Sequence, residues 1–274
     1  MKKRIGLIVN PIAGMGGLVG LKGTDGKETL EKAKDLGAVP LAPARAIEAL
    51  KEIATIKGSI DVFTYPYEMG EEEARASGFT PTVVGSIVRG QTSSVDTKNA
   101  AKDMLKLKVD LILFAGGDGT ARDICEAVGD QVPVLGIPAG VKIHSAVFAI
   151  NPKAAGSLTA MHLQGKLPTY EAEVMDVDEE AFRKNRVSAR LYGYLKVPHE
   201  RMMVQNAKVG RIQNDLDAVE AIAWDVIDSM QDDYLYIIGP GSTTKTIMKQ
   251  LQLEYTLLGV DVVSQKRLVA LDLN

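Results

Sequence analysis

Through the first 150 residues, short aliphatic runs alternate with segments whose apolar residues recur every three or four positions. Ile5 to Val9 (IGLIV), closed by Asn10-Pro11, predicts a buried strand and a turn. Residues 45–57 place Ile47, Leu50, Ile53 and Ala54 at helical spacing, and 61–65 (DVFTY) and 82–84 read as strands. Asp96 to Lys108 opens on an Asp suited to capping a helix whose apolar face is Ala100, Met104 and Leu107. Asp110 to Ala115 (DLILFA) predicts another buried strand, 121–128 a helix and 133–137 (PVLGI) a strand. The PAGVKIHSAVFA that follows reads as a loop entering a helix. Strands and helices in this alternation predict a parallel sheet covered on both faces, an α/β fold.

After about Gly165 the pattern changes. Residues 171–177 and 187–197 alternate in polarity as half-buried strands do, and 214–230 carries Leu216, Val219, Ala223, Val226 and Ile227 on one helical face. A strand at 234–238, a helix at 243–251 and a strand at 257–263 complete the reading. Two domains are expected, 1–165 and a β-rich 166–274.

Composition narrows the class. The 32 Lys plus Arg against 35 Asp plus Glu give a net charge of −3, which offers no footprint for nucleic acid. The single cysteine, Cys125, cannot form an internal disulfide or a cysteine zinc site, and a reducing compartment is expected. The apolar run of the N-terminal segment is only Ile5 to Val9, too short for a signal peptide. No segment approaches the ~18 apolar residues of a membrane span. The expectation is a soluble, cytoplasmic protein without membrane partners.

Chemistry concentrates at Gly116-Gly117-Asp118-Gly119-Thr120, between a strand and a helix. Glycines let a backbone approach a ligand closely, and amides opening a helix favour phosphate. A carboxylate there repels phosphate unless it has another task, such as taking a proton from a hydroxyl. A tight strand-to-helix turn with Asp118 merely capping the helix satisfies the same spacing. Gly239 to Thr246 (GPGSTTKT) lacks the glycine that a P-loop needs before its lysine, since Thr244 stands there. Ser242, Thr243 and Lys245 at that helix start make a second anion-binding turn or a simple capped helix. In PAGVKIHS, Lys142 can neutralise phosphate, and His144 or Ser145 can meet a nucleotide. Cys125 reads as core, and EEEARAS at 71–77 as a solvated face. No His/Cys/Asp cluster has metal-ligand spacing, so no protein-held metal is expected.

GGDGT after an apolar strand, with Asn10-Pro11 after the first, resembles the superfamily of NAD kinases and diacylglycerol or sphingoid-lipid kinases. NPIAGMGG, DTKNAAKDM, DLILFAGGDGTARDI, VLGIPAGVKIHSAVFAINP, GPGSTTKT and TLLGVDVV together are similar to the predicted ATP-NAD kinase subgroup related to AcoX proteins. The resemblance covers nearly the whole chain. It implies an NAD kinase-like fold, an N-terminal parallel-sheet α/β domain and a β-rich second domain with the site between them. It further implies transfer of a phosphoryl group from ATP or polyphosphate to the 2′-hydroxyl of NAD, with magnesium delivered on the phosphates, in a homo-oligomer.

Carried onto this sequence, the resemblance makes Asp118 the base and places Gly116, Gly117, Gly119 and Thr120 around phosphate. Asn10, Gly14, Gly16 and Gly17 then form a phosphate- or nucleotide-facing loop. The sequence departs from the best-known NAD kinases in having no Asn-Glu dipeptide downstream of GGDGT. Asp176, Asp178 or Asn214-Asp215 are the candidates for that place. The chain ends at LDLN, short of a glycine-rich segment with which relatives of the subgroup continue. Two alternatives accompany the kinase reading: a lipid or sphingoid kinase, and a non-catalytic nucleotide-binding AcoX-like protein.

Overall fold

A computed structural model describes residues 2–21, 27–140, 143–177, 189–200, 203–204, 213–256 and 259–273. Contacts divide the chain into two compact units, the first comprising Met1–Leu18, Thr24–Val177 and Ala189–Ala207, the second Val19–Gly23, Asp178–Ser188 and Lys208–Asn274.

The first unit is built on five parallel strands: β1 (Lys3–Val9), β2 (Ile60–Thr64), β3 (Thr82–Val83), β4 (Leu111–Gly116) and β5 (Val134–Pro138). Their order is β3-β2-β1-β4-β5, so the chain steps outward from β1 in one direction and then resumes beside it at β4. All residues of β4 and β5 are buried, as expected of strands covered on both faces. Val9 pairs with Ala115, which sets the carboxyl ends of β1 and β4 side by side.

Helices α1 (Met15–Leu18), α2 (Lys27–Asp35), α3 (Ala42–Ile53), α4 (Glu71–Ala76), α5 (Ser94–Lys106), α6 (Asp118–Val128) and α7 (Pro152–Leu163) connect and cover these strands. α3 packs with α7 against β4 and β5, while α5 packs with α6. α3 begins three residues before the expected start because Pro43 suits the first helical turn, and it buries Ala42, Ala46, Ala49, Leu50 and Ile53. Ser93, rather than Asp96, is the N-cap of α5. Asp96 closes a capping box by accepting Ser93 N and Ser93 Oγ, both at 2.8 Å.

The segment after β5 also differs from expectation. It does not enter a helix directly: Phe148 first bridges Gly136 of β5, and α7 starts only after Asn151, whose Oδ1 caps Ala154 N at 2.8 Å. Gly136 is required there, since a Cβ would lie 2.3 Å from the Phe148 ring. The antiparallel hairpin β6 (Thr169–Val177) and β7 (Ala189–Pro198) lies in the first unit, where β6 packs on α6 and β7 touches β5. The first unit therefore continues past the change of sequence pattern at 165.

In the second unit, β8 (Leu235–Ile238), β9 (Val260–Ser264) and β10 (Arg267–Leu273) form an antiparallel sheet in the order β10-β9-β8. Helices α8 (Gln213–Asp228) and α9 (Ser242–Gln250) pack together through Ala223, Ile227 and Ile247. Met248 joins Ile238 and Val263 in a small core on the sheet. Among the described residues, no helix is long and apolar enough to cross a membrane.

Candidate functional site

The topology locates the site. In open parallel sheets a crevice forms at the carboxyl edge where strand order reverses direction, and ligands bind there. Here that point falls between β1 and β4, which deliver Asn10 and Gly116. Asn10 N donates to Ala115 O at 2.9 Å, continuing the β1–β4 ladder by one bond. Its side chain then divides its two functions. Nδ2 donates to Thr120 Oγ1 at 2.9 Å, and Oδ1 accepts Ile12 N at 3.3 Å, which turns the chain out of the sheet.

GGDGT is not the loop that its glycines suggest. Gly116 ends β4, Gly117 is the N-cap, Asp118 the first residue of α6 and Thr120 the third, so the motif passes from strand into the first helical turn with no loop between. Gly116 is needed for packing, because a Cβ would come 2.5 Å from the Thr120 side chain. At Gly117 and Gly119 an added Cβ meets nothing within 4 Å. Their missing side chains therefore leave room above the turn and serve no internal packing among the described residues. Gly14, at φ +81°, lies so close to Ala139 that a Cβ would sit 1.9 Å from its carbonyl oxygen, which presses the loop after β1 onto the segment leaving β5.

Asp118 gathers that segment. Its Oδ2 accepts His144 N and its Oδ1 accepts Ser145 N, both at 2.9 Å, and the His144 Nδ1 is 3.3 Å from Oδ2. The two side chains are 10% and 16% exposed, so the pair is largely withdrawn from water. Oδ1 keeps acceptor capacity beyond its bond from Ser145 N, since a carboxylate oxygen offers about two lone-pair directions. Ser145 Oγ in turn accepts Met175 N at 2.9 Å, and Ala146 N donates to Glu173 O at 2.9 Å, which fastens the same segment to β6.

The structure thus brings together Asn10, Gly14, Gly116, Gly117, Asp118, Gly119 and Thr120 with His144 and Ser145. Gly16 and Gly17 lie in α1 directly after that first loop. Lys142 falls outside the described residues. Ser242 and Thr243 open α9 in the second unit, where Gly241 is the N-cap and Thr244 Oγ1 donates to Gly239 O at 2.7 Å. Among the described residues no group of three or more His, Cys, Asp or Glu is placed to hold a metal ion.

One residue escaped the sequence reading. Arg45 stands in the first turns of α3, and its Nη1 donates to Pro138 O at 2.6 Å. The available signal was electrostatic: a helix start favours acids, and α3 has none in its first turn but carries an arginine just after it.

A family model for the ATP-NAD kinase N-terminal domain matches residues 5–167. The chain belongs to the ATP-NAD kinase family. The match spans β1 through α7 and includes every member of the cluster around Asp118. No curated protein matches this family member. Among solved structures it is similar to a UDP-GlcNAc 2-epimerase from Neisseria meningitidis at 14% identity and TM-score 0.30, over 49% of this chain and 32% of that one. It is also similar to a diacylglycerol kinase from Bacillus anthracis str. Sterne at 12% identity and TM-score 0.31, over 96% and 85% of the two chains. The chain spans about a third of the length of the epimerase.

Proposed function

We propose that the chain is an NAD kinase-like phosphotransferase, moving a phosphoryl group from ATP or polyphosphate to the 2′-hydroxyl of NAD. Family membership supports the kinase class. The observation that carries the chemistry is Asp118, a largely buried carboxylate at the first turn of α6, beside the switch point of the sheet and flanked in sequence by two glycines at which an added Cβ would meet nothing within 4 Å.

Phosphoryl transfer asks for positioning and charge neutralisation more than for strongly reactive side chains. The acceptor hydroxyl donates to Asp118 Oδ1 and is aimed at the terminal phosphorus. As its oxygen bonds to phosphorus, the bond to the bridging oxygen breaks, the electron pair leaves with the donor, and the proton passes to Asp118. The amides of His144 and Ser145 hold the carboxylate in one orientation throughout. Thr120 Oγ1 accepts from Asn10, so its own proton is available to a phosphate oxygen. Magnesium arriving on the phosphates would supply charge neutralisation.

The test is NADP formation from NAD with magnesium, using ATP and polyphosphate in parallel, for the wild type and Asp118→Asn. Product from the wild type, reduced roughly 10²- to 10⁴-fold in the variant, is the expected result. Absence of product with either donor, from protein that still binds nucleotide, overturns the proposal. The same two amide bonds favour a second reading, a non-catalytic nucleotide-binding protein in which Asp118 only fastens the segment leaving β5. That reading expects binding to survive without turnover. A lipid or sphingoid acceptor is the outcome if phosphate reaches a lipid hydroxyl in place of NAD.

A further inference from the structure

The carbonyl of Pro138 occupies an unusual position. It ends β5, an edge strand of the sheet, and proline has no N–H, so this oxygen is the residue's one backbone polar group. A half-buried acceptor left unpaired is costly. Arg45 supplies the donor from α3 at 2.6 Å, a charge-assisted bond shorter than an ordinary amide contact. One residue further on, Ala139 N donates to Gly116 O at 2.9 Å, and Gly14 abuts Ala139 O. The strand end is therefore held by α3, by the GGDGT strand and by the loop after β1. His144 and Ser145, whose amides hold Asp118, follow six and seven residues later in the chain.

We infer that Arg45 is a positioning residue for Asp118: it fixes the departure point of the segment that supplies the two amides gripping the carboxylate. The inference rests on the kinase reading for its catalytic consequence, but not for its structural one. A lysine reaches the same carbonyl with a single donor and one charge, so Arg45→Lys is expected to retain much of the effect. Arg45→Met removes it.

Two measurements keep the inference separate from the function it serves. Hydrogen exchange of the full chain reads the His144 and Ser145 amides against the Ile112–Phe114 amides of β4. In Arg45→Met the first pair is expected to exchange roughly tenfold faster or more, with β4 unchanged and Arg45→Lys intermediate. Unchanged protection at His144 and Ser145 overturns the inference. So does equal acceleration throughout the first unit in both variants, which marks a general stabilising role. In NADP formation, Arg45→Met is expected to lose kcat by about tenfold with KM for NAD little changed, and Arg45→Lys to restore most of it. A loss confined to KM overturns the positioning role. Absence of turnover in the wild type overturns the kinase reading and leaves the exchange experiment to decide the role of Arg45.

Discussion

Asn10 Nδ2 and Thr120 Oγ1, 110 residues apart in sequence, meet at 2.9 Å across the junction of β1 and β4. Asn10 follows one parallel strand and Thr120 belongs to the helix after its neighbour, so the bond locks the turn after β1 to the first turn of α6 at the sheet's carboxyl edge. It is partly buried, and a neutral bond of this kind contributes about 1 kcal/mol. Asn10→Ala and Thr120→Val are each expected to lower stability by about 1–2 kcal/mol and to weaken tripolyphosphate binding. In a double-mutant cycle on denaturant midpoints, the second substitution should add less than the first. Additive losses would mean that the two side chains act independently.

The glycines of GGDGT separate folding from binding. Gly116→Ala forces a Cβ into the Thr120 side chain and is expected to destabilise the fold and disturb the Asn10 bond. Gly117→Ala and Gly119→Ala meet no neighbour, so thermal midpoints are expected within a few degrees of wild type while nucleotide affinity falls. Calorimetric titration of the two variants with ATP checks this. Full affinity in both would show that the open space above the turn is not occupied by ligand.

How much of this was legible follows from what periodicity encodes. IGLIV, DLILFA and PVLGI appear as strands because a buried parallel strand needs a nearly unbroken apolar run, whereas DVFTY shows instead the alternation of a half-buried strand, with Ile60, Val62 and Thr64 buried and Asp61 and Phe63 less so. The GGDGT turn was visible through its composition, yet its helical geometry was not, since glycines disguise a first turn. The grip of His144 and Ser145 on Asp118 runs through backbone amides, which every residue type carries, and no side-chain pattern announces it. The short helix α4 escaped because six residues display less than two helical periods.

Tyr65 makes a stabilising contact away from the site. Its hydroxyl donates to Asp103 Oδ2 at 2.6 Å, joining the end of β2 to α5. Burial first, and the Asp103 carboxylate second, push the phenol well above its ordinary range. Asp103 is held below the usual carboxylate range by Lys106 and by this hydroxyl. Tyr65→Phe is expected to cost about 1.5–3 kcal/mol in denaturant unfolding, the range for a bond to a charged group. A loss below a few tenths would assign the bond no net stabilising role.

Glu73 inverts the reading of EEEARAS as a solvated face. Glu71 accepts from Arg75 at 3.0 Å and Glu72 pairs with Arg89 at 2.6 Å, both at the surface, but Glu73 is 3% exposed. Its Oε2 has no hydrogen-bond partner, and burial, with the carboxylates of Glu72 and Glu68 adding to it, pushes the group up to about 7. The unfolded chain releases this proton near pH 4.5, whereas the folded chain holds it until about pH 7. Between these values the native state binds more protons, so stability falls as pH rises and levels off above about 7. The span corresponds to about 3 kcal/mol at ~1.4 kcal/mol per pH unit. Glu73→Gln carries no proton to lose and is expected to be the more stable protein at pH 8, with the advantage shrinking toward pH 4.5. Denaturant unfolding of both proteins across that range checks the sign. An advantage that stayed constant with pH would place the Glu73 carboxyl in water and leave the acid-to-neutral slope to other groups.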